Sequence, residues 1–147
     1  MKFVIVDGDR EALEYTARSL KRVYKQADIV TFADALSTYQ YCVNHAREIA
    51  LVFLPVTLKP IDGFKLRELI SAYPIPLGIV FTMRGKSEDL IELINTNGNE
   101  RYIVKPVTPS KISALAKEMV EQCWTDEDEC KSCAYFWCRK RKGEADA

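Results

Sequence analysis

The sequence predicts an α/β fold in which an open parallel sheet carries helices on both faces. Five short runs of β-favouring residues alternate with segments whose apolar residues recur at helical spacing. The loops between them are short, as expected for strand–helix–strand crossovers that place successive strands parallel in one sheet. The chain has 147 residues, which suffices for one domain with a substantial core.

The first two strands and helices follow from local patterning. Phe3–Val6 is an apolar run of strand length, and Ile29–Phe32 is the second. Asp9 is a suitable N-cap for the first helix. The apolar residues of that helix are Leu13, Ala17, Leu20 and Tyr24. The second helix is predicted from Ala33 to about Arg47, with a less regular apolar face.

The middle of the chain supplies the third and fourth strands. Ile49–Leu54 is an apolar run and is predicted as the third strand. A short loop and Gly63 lead into the third helix, which is predicted from Phe64 to Tyr73. Two prolines follow and mark the end of that helix. Leu77–Thr82 is predicted as the fourth strand, with residues 83–86 as its loop.

The remaining elements are predicted largely from capping residues. Ser87 can cap a fourth helix that ends near Gly98, and Arg101–Val104 is predicted as the fifth strand. Thr108 precedes a proline, and an N-cap followed by proline favours the start of a helix. The apolar residues of this fifth helix are Ile112, Leu115, Met119 and Cys123.

The end of the third strand is the position on which the functional interpretation depends. In parallel α/β sheets, ligands bind in the crevice outside the carboxyl ends of the strands. The residue there is Pro55, which offers no nucleophile, acid or metal ligand and no backbone N–H. The chain also contains no Gly-rich phosphate loop and no Ser-His-Asp set, and the single histidine, His45, is predicted to be a surface helix residue.

Residues 1 to about 123 resemble the receiver domain of bacterial response regulators. The marks occur in the expected order: VIVDGD after the first strand, LPVTLKPIDG around the end of the third, Thr82 at the end of the fourth, and Lys105-Pro106 after the fifth. The resemblance implies a five-stranded, doubly wound, flavodoxin-like sheet of order 2-1-3-4-5. The remaining residues, 124–147, form a short Cys- and aromatic-rich charged tail.

The resemblance also implies roles for the residues of the first and third strand ends. A conventional receiver accepts a phosphoryl group on an aspartate at the tip of the third strand, where this chain has Pro55. Acidic residues after the first strand help to hold Mg²⁺ in the family, and the corresponding positions here are Asp7, Gly8 and Asp9.

Three further roles follow from the resemblance. The hydroxyl of Thr82 and the ammonium of Lys105 correspond to groups that contact the phosphoryl oxygens. Tyr102 corresponds to an aromatic residue that changes rotamer with the state of the domain. The peptide bond between Lys105 and Pro106 is expected to be cis, as it usually is in the family.

The departures from the family pattern predict a pseudo-receiver. Formation of an aspartyl phosphate needs a carboxylate nucleophile, which Pro55 lacks. Mg²⁺ prefers carboxylate, phosphate and water oxygens in octahedral geometry, so we expect it to bind weakly or not at all. Lys105 is predicted to pair with Asp7 instead. The alternative is a conventional phosphoacceptor that uses another carboxylate, for which Asp62 is the candidate.

The tail carries a second candidate site. Cys123, Cys130, Cys133 and Cys138 have the spacing C-x6-C-x2-C-x4-C, and four thiolates suit structural zinc or an iron–sulfur cluster. Reduced cysteines without metal and disulfides are the alternatives that remain open. Cys42, alone on the second helix, is predicted to be a buried core thiol.

The sequence therefore predicts a non-enzymatic signalling module of the two-component phosphorelay type that binds another protein, or a second copy of itself. The resemblance places the contact face at about Ser87–Cys123. A metal or thiol redox sensor that uses the tail on the receiver scaffold is the alternative. Formal net charge is zero and no apolar stretch reaches spanning length, so nucleic acid and membrane are not expected partners and the chain is predicted to be cytoplasmic.

Overall fold

The structure is a computed structural model that describes residues 2–72, 78–85 and 101–116. The predicted fourth helix, the start of the predicted fourth strand and the whole Cys-rich tail lie outside these residues. No helix in the described part of the chain has the length and apolar character needed to cross a bilayer.

Five parallel strands form one sheet in the order β2-β1-β3-β4-β5, which confirms the predicted topology. In chain order the strands are β1 (Lys2–Val6), β2 (Asp28–Phe32), β3 (Ile49–Pro55), β4 (Ile79–Met83) and β5 (Arg101–Val104). β1 and β2 each begin one residue earlier than predicted, β4 begins at Ile79 within the described residues, and two strands end one residue later than predicted. β3 continues through Pro55 and β4 through Met83, because Pro55 stays in register with Thr82 and Met83 with Val104.

The helices are α1 (Arg10–Val23), α2 (Ala35–His45), α3 (Gly63–Ser71) and a C-terminal helix at Pro109–Ala116. A 3₁₀ turn at Ala46–Glu48 follows α2. The predicted start of α2 was too early, because the Asp34 side chain caps the helix by accepting the backbone N–H of Ser37 at 2.8 Å. The predicted α3 was too long, since its last helical residue is Ser71.

The sheet separates two apolar layers. One layer lies between the sheet and α2 and α3, and the other between the sheet and the pair formed by α1 and the C-terminal helix. Successive strand residues point to opposite faces, so every strand contributes to at least one layer and the central ones to both. β3 is buried along its whole length, as expected for a central strand covered on both faces.

Gly63 allows α3 to begin directly against the end of β3. A Cβ atom at this position would lie 2.1 Å from the Pro55 carbonyl oxygen, well inside van der Waals contact. The Gly63 N–H donates to the carbonyl oxygen of Val56 at 2.9 Å, so the close approach is held by a hydrogen bond. Asp62 caps the same helix by accepting the N–H of Lys65 at 2.8 Å.

Cys42 is fully buried in the layer under α2, which confirms its prediction as a core thiol. Burial disfavours the thiolate and raises the pKa of Cys42 to about 12. The thiol therefore packs as a small apolar group and has no reactive form near neutral pH.

We predict that Gly63→Ala destabilises the domain by about 3 kcal/mol, because the added methyl group forces the backbone of β3 and α3 apart. Urea unfolding followed by circular dichroism measures the change. Gly8→Ala is the matched control, since the nearest atom to its added Cβ would be 4.0 Å away. Equal stability of the two variants would contradict the close packing described for Gly63.

We predict that Cys42 resists alkylation in the folded protein. At pH 8 a pKa of about 12 leaves roughly one thiol in ten thousand ionised, and the side chain is also inaccessible. Iodoacetamide labelling followed by peptide mass spectrometry should leave Cys42 unmodified, with full labelling in denaturant as the control. Labelling of native Cys42 as fast as that of a free peptide thiol would contradict this burial.

Candidate functional site

Four side chains meet at the carboxyl edge of the sheet because they continue one row of alternating positions. The buried residues Ile5, Phe53, Val80 and Ile103 all belong to the layer beneath α1. Two residues further along each strand, the alternation places the next side chains on the same face. These residues are Asp7, Pro55, Thr82 and Lys105. The sheet therefore brings together the strand-end positions that the sequence singled out.

A short ion pair joins two of these residues. The Lys105 Nζ lies 2.7 Å from the Asp7 Oδ2, and the side chains are 21% and 8% exposed. The other carboxylate oxygen of Asp7 accepts the backbone N–H of Asp9 at 2.9 Å. Both oxygens of Asp7 are thus engaged, and the predicted pairing with Lys105 is confirmed. Charge-assisted bonds of this length are stronger than neutral ones.

The remaining residues of the acidic turn offer little to a metal ion. The Asp9 side chain caps α1 by accepting the N–H of Glu11 at 3.0 Å, and Gly8 has no side chain. Pro55 supplies no side-chain oxygen. Mg²⁺ requires several oxygen ligands in near-octahedral geometry. Two carboxylates, one paired with an ammonium group and the other capping a helix, do not meet that requirement.

The buried hydroxyl of Thr82 has no hydrogen-bond partner among the described residues. The residue is 3% exposed, and its Oγ1 makes no hydrogen bond within residues 2–72, 78–85 and 101–116. Its backbone carbonyl oxygen, in contrast, accepts the N–H of Val56 at 3.0 Å. Pro55 is its register partner on β3, so the hydroxyl sits beside the one strand end that carries no polar side chain.

Lys111 positions the segment that carries Lys105, and the sequence analysis missed it. Its Nζ donates to the carbonyl oxygens of Val104 at 2.9 Å and Pro106 at 3.2 Å. The intervening peptide bond, Lys105–Pro106, is cis, as predicted. A cation in the first turn of a helix interacts unfavourably with the helix dipole. The position of Lys111 in that turn was therefore the sequence signal that its ammonium group bonds to other acceptors.

The predicted switch residue and the alternative phosphoacceptor lie apart from this cluster. Tyr102 pairs with Phe81 in the β4–β5 register, so its side chain is on the opposite face of the sheet, and it is 43% exposed. Asp62 is exposed at the start of α3, where its carboxylate caps the helix. Neither residue contributes to the row formed by Asp7, Thr82 and Lys105.

His45 lies at the amino edge of the sheet and takes no part in the site. Its Nδ1 is 3.0 Å from Glu48 Oε2, and its ring stacks on Tyr41 with a centroid separation of 4.2 Å. The hydrogen bond from His45, and to a smaller extent the one from Lys2, lowers the pKa of Glu48. Hydrogen bonding to Tyr41 is the main cause that raises the pKa of Lys2. This cluster is a solvated surface feature, as the sequence suggested for His45.

The proposed metal site of the tail lies outside the described residues. Cys123, Cys130, Cys133 and Cys138 all fall there, so the zinc or iron–sulfur interpretation stays a prediction from spacing alone. Among the described side chains, no group of three or more His, Cys, Asp or Glu residues could hold a metal ion.

Several solved structures share this fold. The signal receiver domain of a DNA-binding response regulator from Colwellia psychrerythraea 34H aligns with a TM-score of 0.67 at 20% identity, covering 83% of this chain and 99% of that one. A two-component response regulator from Clostridium difficile gives 0.66 at 20% identity, with 85% and 99% covered. A response regulator receiver domain from Clostridium thermocellum gives 0.68 at 16% identity, with 82% and 94% covered.

Comparison at the level of sequence families gives the more decisive result. No curated protein matches the chain. A family model described as the response regulator receiver domain matches residues 3–117, most of the sequence. These residues contain the five strands apart from Lys2, and the whole carboxyl-edge site. The chain therefore belongs to the response regulator receiver domain family.

Proposed function

We propose that this receiver domain signals by binding a protein partner and does not accept a phosphoryl group. The observation that carries the proposal is the end of the central strand. There buried Pro55 lies next to Thr82, whose hydroxyl has no partner among the described residues, while Lys105 is engaged by Asp7. The ammonium and hydroxyl that contact a phosphoryl group in the family are retained. The carboxylate that would carry the group is absent.

The chemistry of phosphoryl transfer supports this proposal. The reaction needs a nucleophilic oxygen and preorganised positive charge around the transferred group. Asp7 is the buried carboxylate of the row, and both of its oxygens already accept hydrogen bonds or an ion pair. The positive charge of Lys105 is largely neutralised by that pair. Mg²⁺, which would add charge to the site, lacks the ligand set described above.

Without a phosphoryl group, the conformational equilibrium of the domain has to be set by contacts. A ligand shifts such an equilibrium only through a difference in affinity for the two states. The Asp7–Lys105 pair and the Lys111 bonds favour one arrangement of the segment after β5. A partner that prefers this arrangement binds a surface already formed, and no covalent input is needed.

The proposed contact face is the one implied by the family, at about residues 87–123. Its described part consists of β5 and the first turns of the C-terminal helix. Tyr102 provides an exposed aromatic ring on β5, and aromatic residues are enriched at protein interfaces. The partner is a signalling protein of the phosphorelay type, or a second copy of this chain, because isologous pairing is common.

We predict that the wild-type protein, incubated with acetyl phosphate and Mg²⁺, shows no mass increase, because no carboxylate is placed for attack. The double variant Gly8→Asp, Pro55→Asp is the positive control. It restores two carboxylates at the edge of the sheet, and the space around Gly8 admits a side chain. We expect that variant to gain one phosphoryl group. Intact-protein mass spectrometry under acidic conditions measures both.

A phosphoryl group on the wild-type protein would overturn the proposal, and the modified position would identify the carboxylate that accepts it. Modification at Asp62 would establish the alternative phosphoacceptor. Asp62→Asn serves as its matched control, because asparagine retains a capping oxygen for α3. Modification of Asp7 would show that its pairing with Lys105 is too weak to remove it as a nucleophile.

We predict a coupling energy of about 1–3 kcal/mol between Asp7 and Lys105, because breaking a buried pair leaves an uncompensated charge. A double-mutant cycle of Asp7→Asn and Lys105→Met, measured by urea unfolding, gives the value. The coupling should persist at high salt, since a largely buried pair is poorly screened.

The pair between Arg10 and Glu14 on α1 is the control for that cycle. Its atoms are 3.1 Å apart, but the side chains are 90% and 54% exposed. We expect a coupling energy that cannot be distinguished from zero at high salt. If the Asp7–Lys105 cycle behaves in the same way, the ion pair does not fix the edge of the sheet.

A further inference from the structure

A groove runs between the first two turns of α1 and the segments that follow β4 and β5. Its volume is about 660 Å³. Small-molecule sites commonly have volumes of about 300–1,000 Å³. The groove adjoins the carboxyl-edge site, because Lys105 contributes both to its wall and to the ion pair with Asp7.

One side of the groove is apolar and contains an exposed aromatic ring. Ala12, Pro106 and Val107 line it together with Tyr15, which is 37% exposed. An exposed tyrosine in a concave surface offers a face on which a planar ring can stack, and such ring pairs contribute beyond the area they bury. The apolar wall therefore favours a flat aromatic ligand.

Some charged side chains of the groove already form hydrogen bonds or ion pairs within the domain, and others do not. Lys105 pairs with Asp7, and the Asp9 carboxylate caps α1. Arg84 is exposed, lines the same groove and makes no hydrogen bond or ion pair with the described residues. A guanidinium group presents several donors in one plane and suits carboxylate or sulfonate oxygens.

Glu11 also lines the groove and sets a limit on the ligand. Its carboxylate opposes a second negative charge near the start of α1. A ligand with one anionic group, placed at the Arg84 end, avoids this repulsion. A dianion or a polyphosphate would not.

From this arrangement we propose that the groove binds a small planar aromatic molecule with a single anionic group, with its ring on Tyr15 and its anion at Arg84. The inference rests on the proposed function, because a reversibly bound ligand would act as the signal in a domain that accepts no phosphoryl group. Because Lys105 and Pro106 form part of the wall, an occupant contacts the segment that Lys111 holds.

The test uses 1-anilinonaphthalene-8-sulfonate, an aromatic monoanion that fluoresces when bound, with the full-length protein. We expect saturable binding at one site. Tyr15→Ala and Arg84→Gln should each weaken it about three- to tenfold, through loss of stacking and of the ion pair. Tyr15→Phe should retain binding, because the ring is kept. Glu11→Gln should leave binding unchanged or tighten it, since it removes a negative charge.

The matched controls lie on α3, on the other face of the sheet. Leu69 is 40% exposed, close to Tyr15 in exposure, and Lys65 is an exposed cation. Leu69→Ala and Lys65→Gln should leave the affinity unchanged. Amide chemical-shift changes in ¹⁵N-labelled protein should concentrate at Ala12, Gly85 and Val107, and circular dichroism confirms that each variant is folded.

Two results would overturn the proposed site: no saturable binding, or binding that Tyr15→Ala and Arg84→Gln leave unchanged. Either result leaves the proposed function intact as long as acetyl phosphate fails to modify the wild-type protein. Conversely, phosphorylation of the wild-type protein would overturn the proposed function, while the fluorescence titration would still decide whether the groove binds an aromatic anion.

Discussion

The ion pair between Lys105 and Asp7 sets the arrangement of side chains at the carboxyl edge of the sheet. It connects the end of β1 with the segment after β5, across the ends of β3 and β4, at a length of 2.7 Å. A largely buried charge is tolerated only when it is paired. Each partner therefore requires the other, and the segment held by Lys111 is fixed in turn. Both carboxylate oxygens of Asp7 are thus engaged by groups of the chain itself, one by Lys105 and one by the backbone N–H of Asp9.

Local patterning was sufficient to predict a parallel sheet and the helices that the structure describes, whereas the strand order was implied by the resemblance to receiver domains. Strand runs, caps at Asp9 and Thr108, and short connections leave few topologies open. The errors were confined to element ends. α2 begins two residues into its predicted span because Asp34 caps it, a signal present in the sequence. The extension of β3 through Pro55 depends instead on pairing with β4. Pairing between strands cannot be read from one segment alone.

Pro55 was identified from its place at the end of the third strand, whereas Asp7, Thr82 and Lys105 were identified through the resemblance to receiver domains. Asp7, Pro55, Thr82 and Lys105 fall on one face because each lies two residues beyond a buried residue of the same layer. Contacts between distant segments could be predicted neither from the strand patterns nor from the resemblance. The Lys111 bonds and the groove beside Tyr15 depend on how α1 and the C-terminal helix pack against the strand ends, and no local sequence pattern encodes that distance.

The isolated hydroxyl of Thr82 has a consequence for how the domain distributes its free energy. A buried polar group that bonds to nothing carries a desolvation penalty of about 1–3 kcal/mol, against a total stability of about 5–15 kcal/mol for a typical domain. Among the described residues nothing satisfies the Thr82 oxygen, so within that part of the chain the penalty falls at the centre of the carboxyl edge. That cost falls beside Pro55, the register partner of Thr82 at the end of the central strand, so it bears on the most deeply covered part of the sheet.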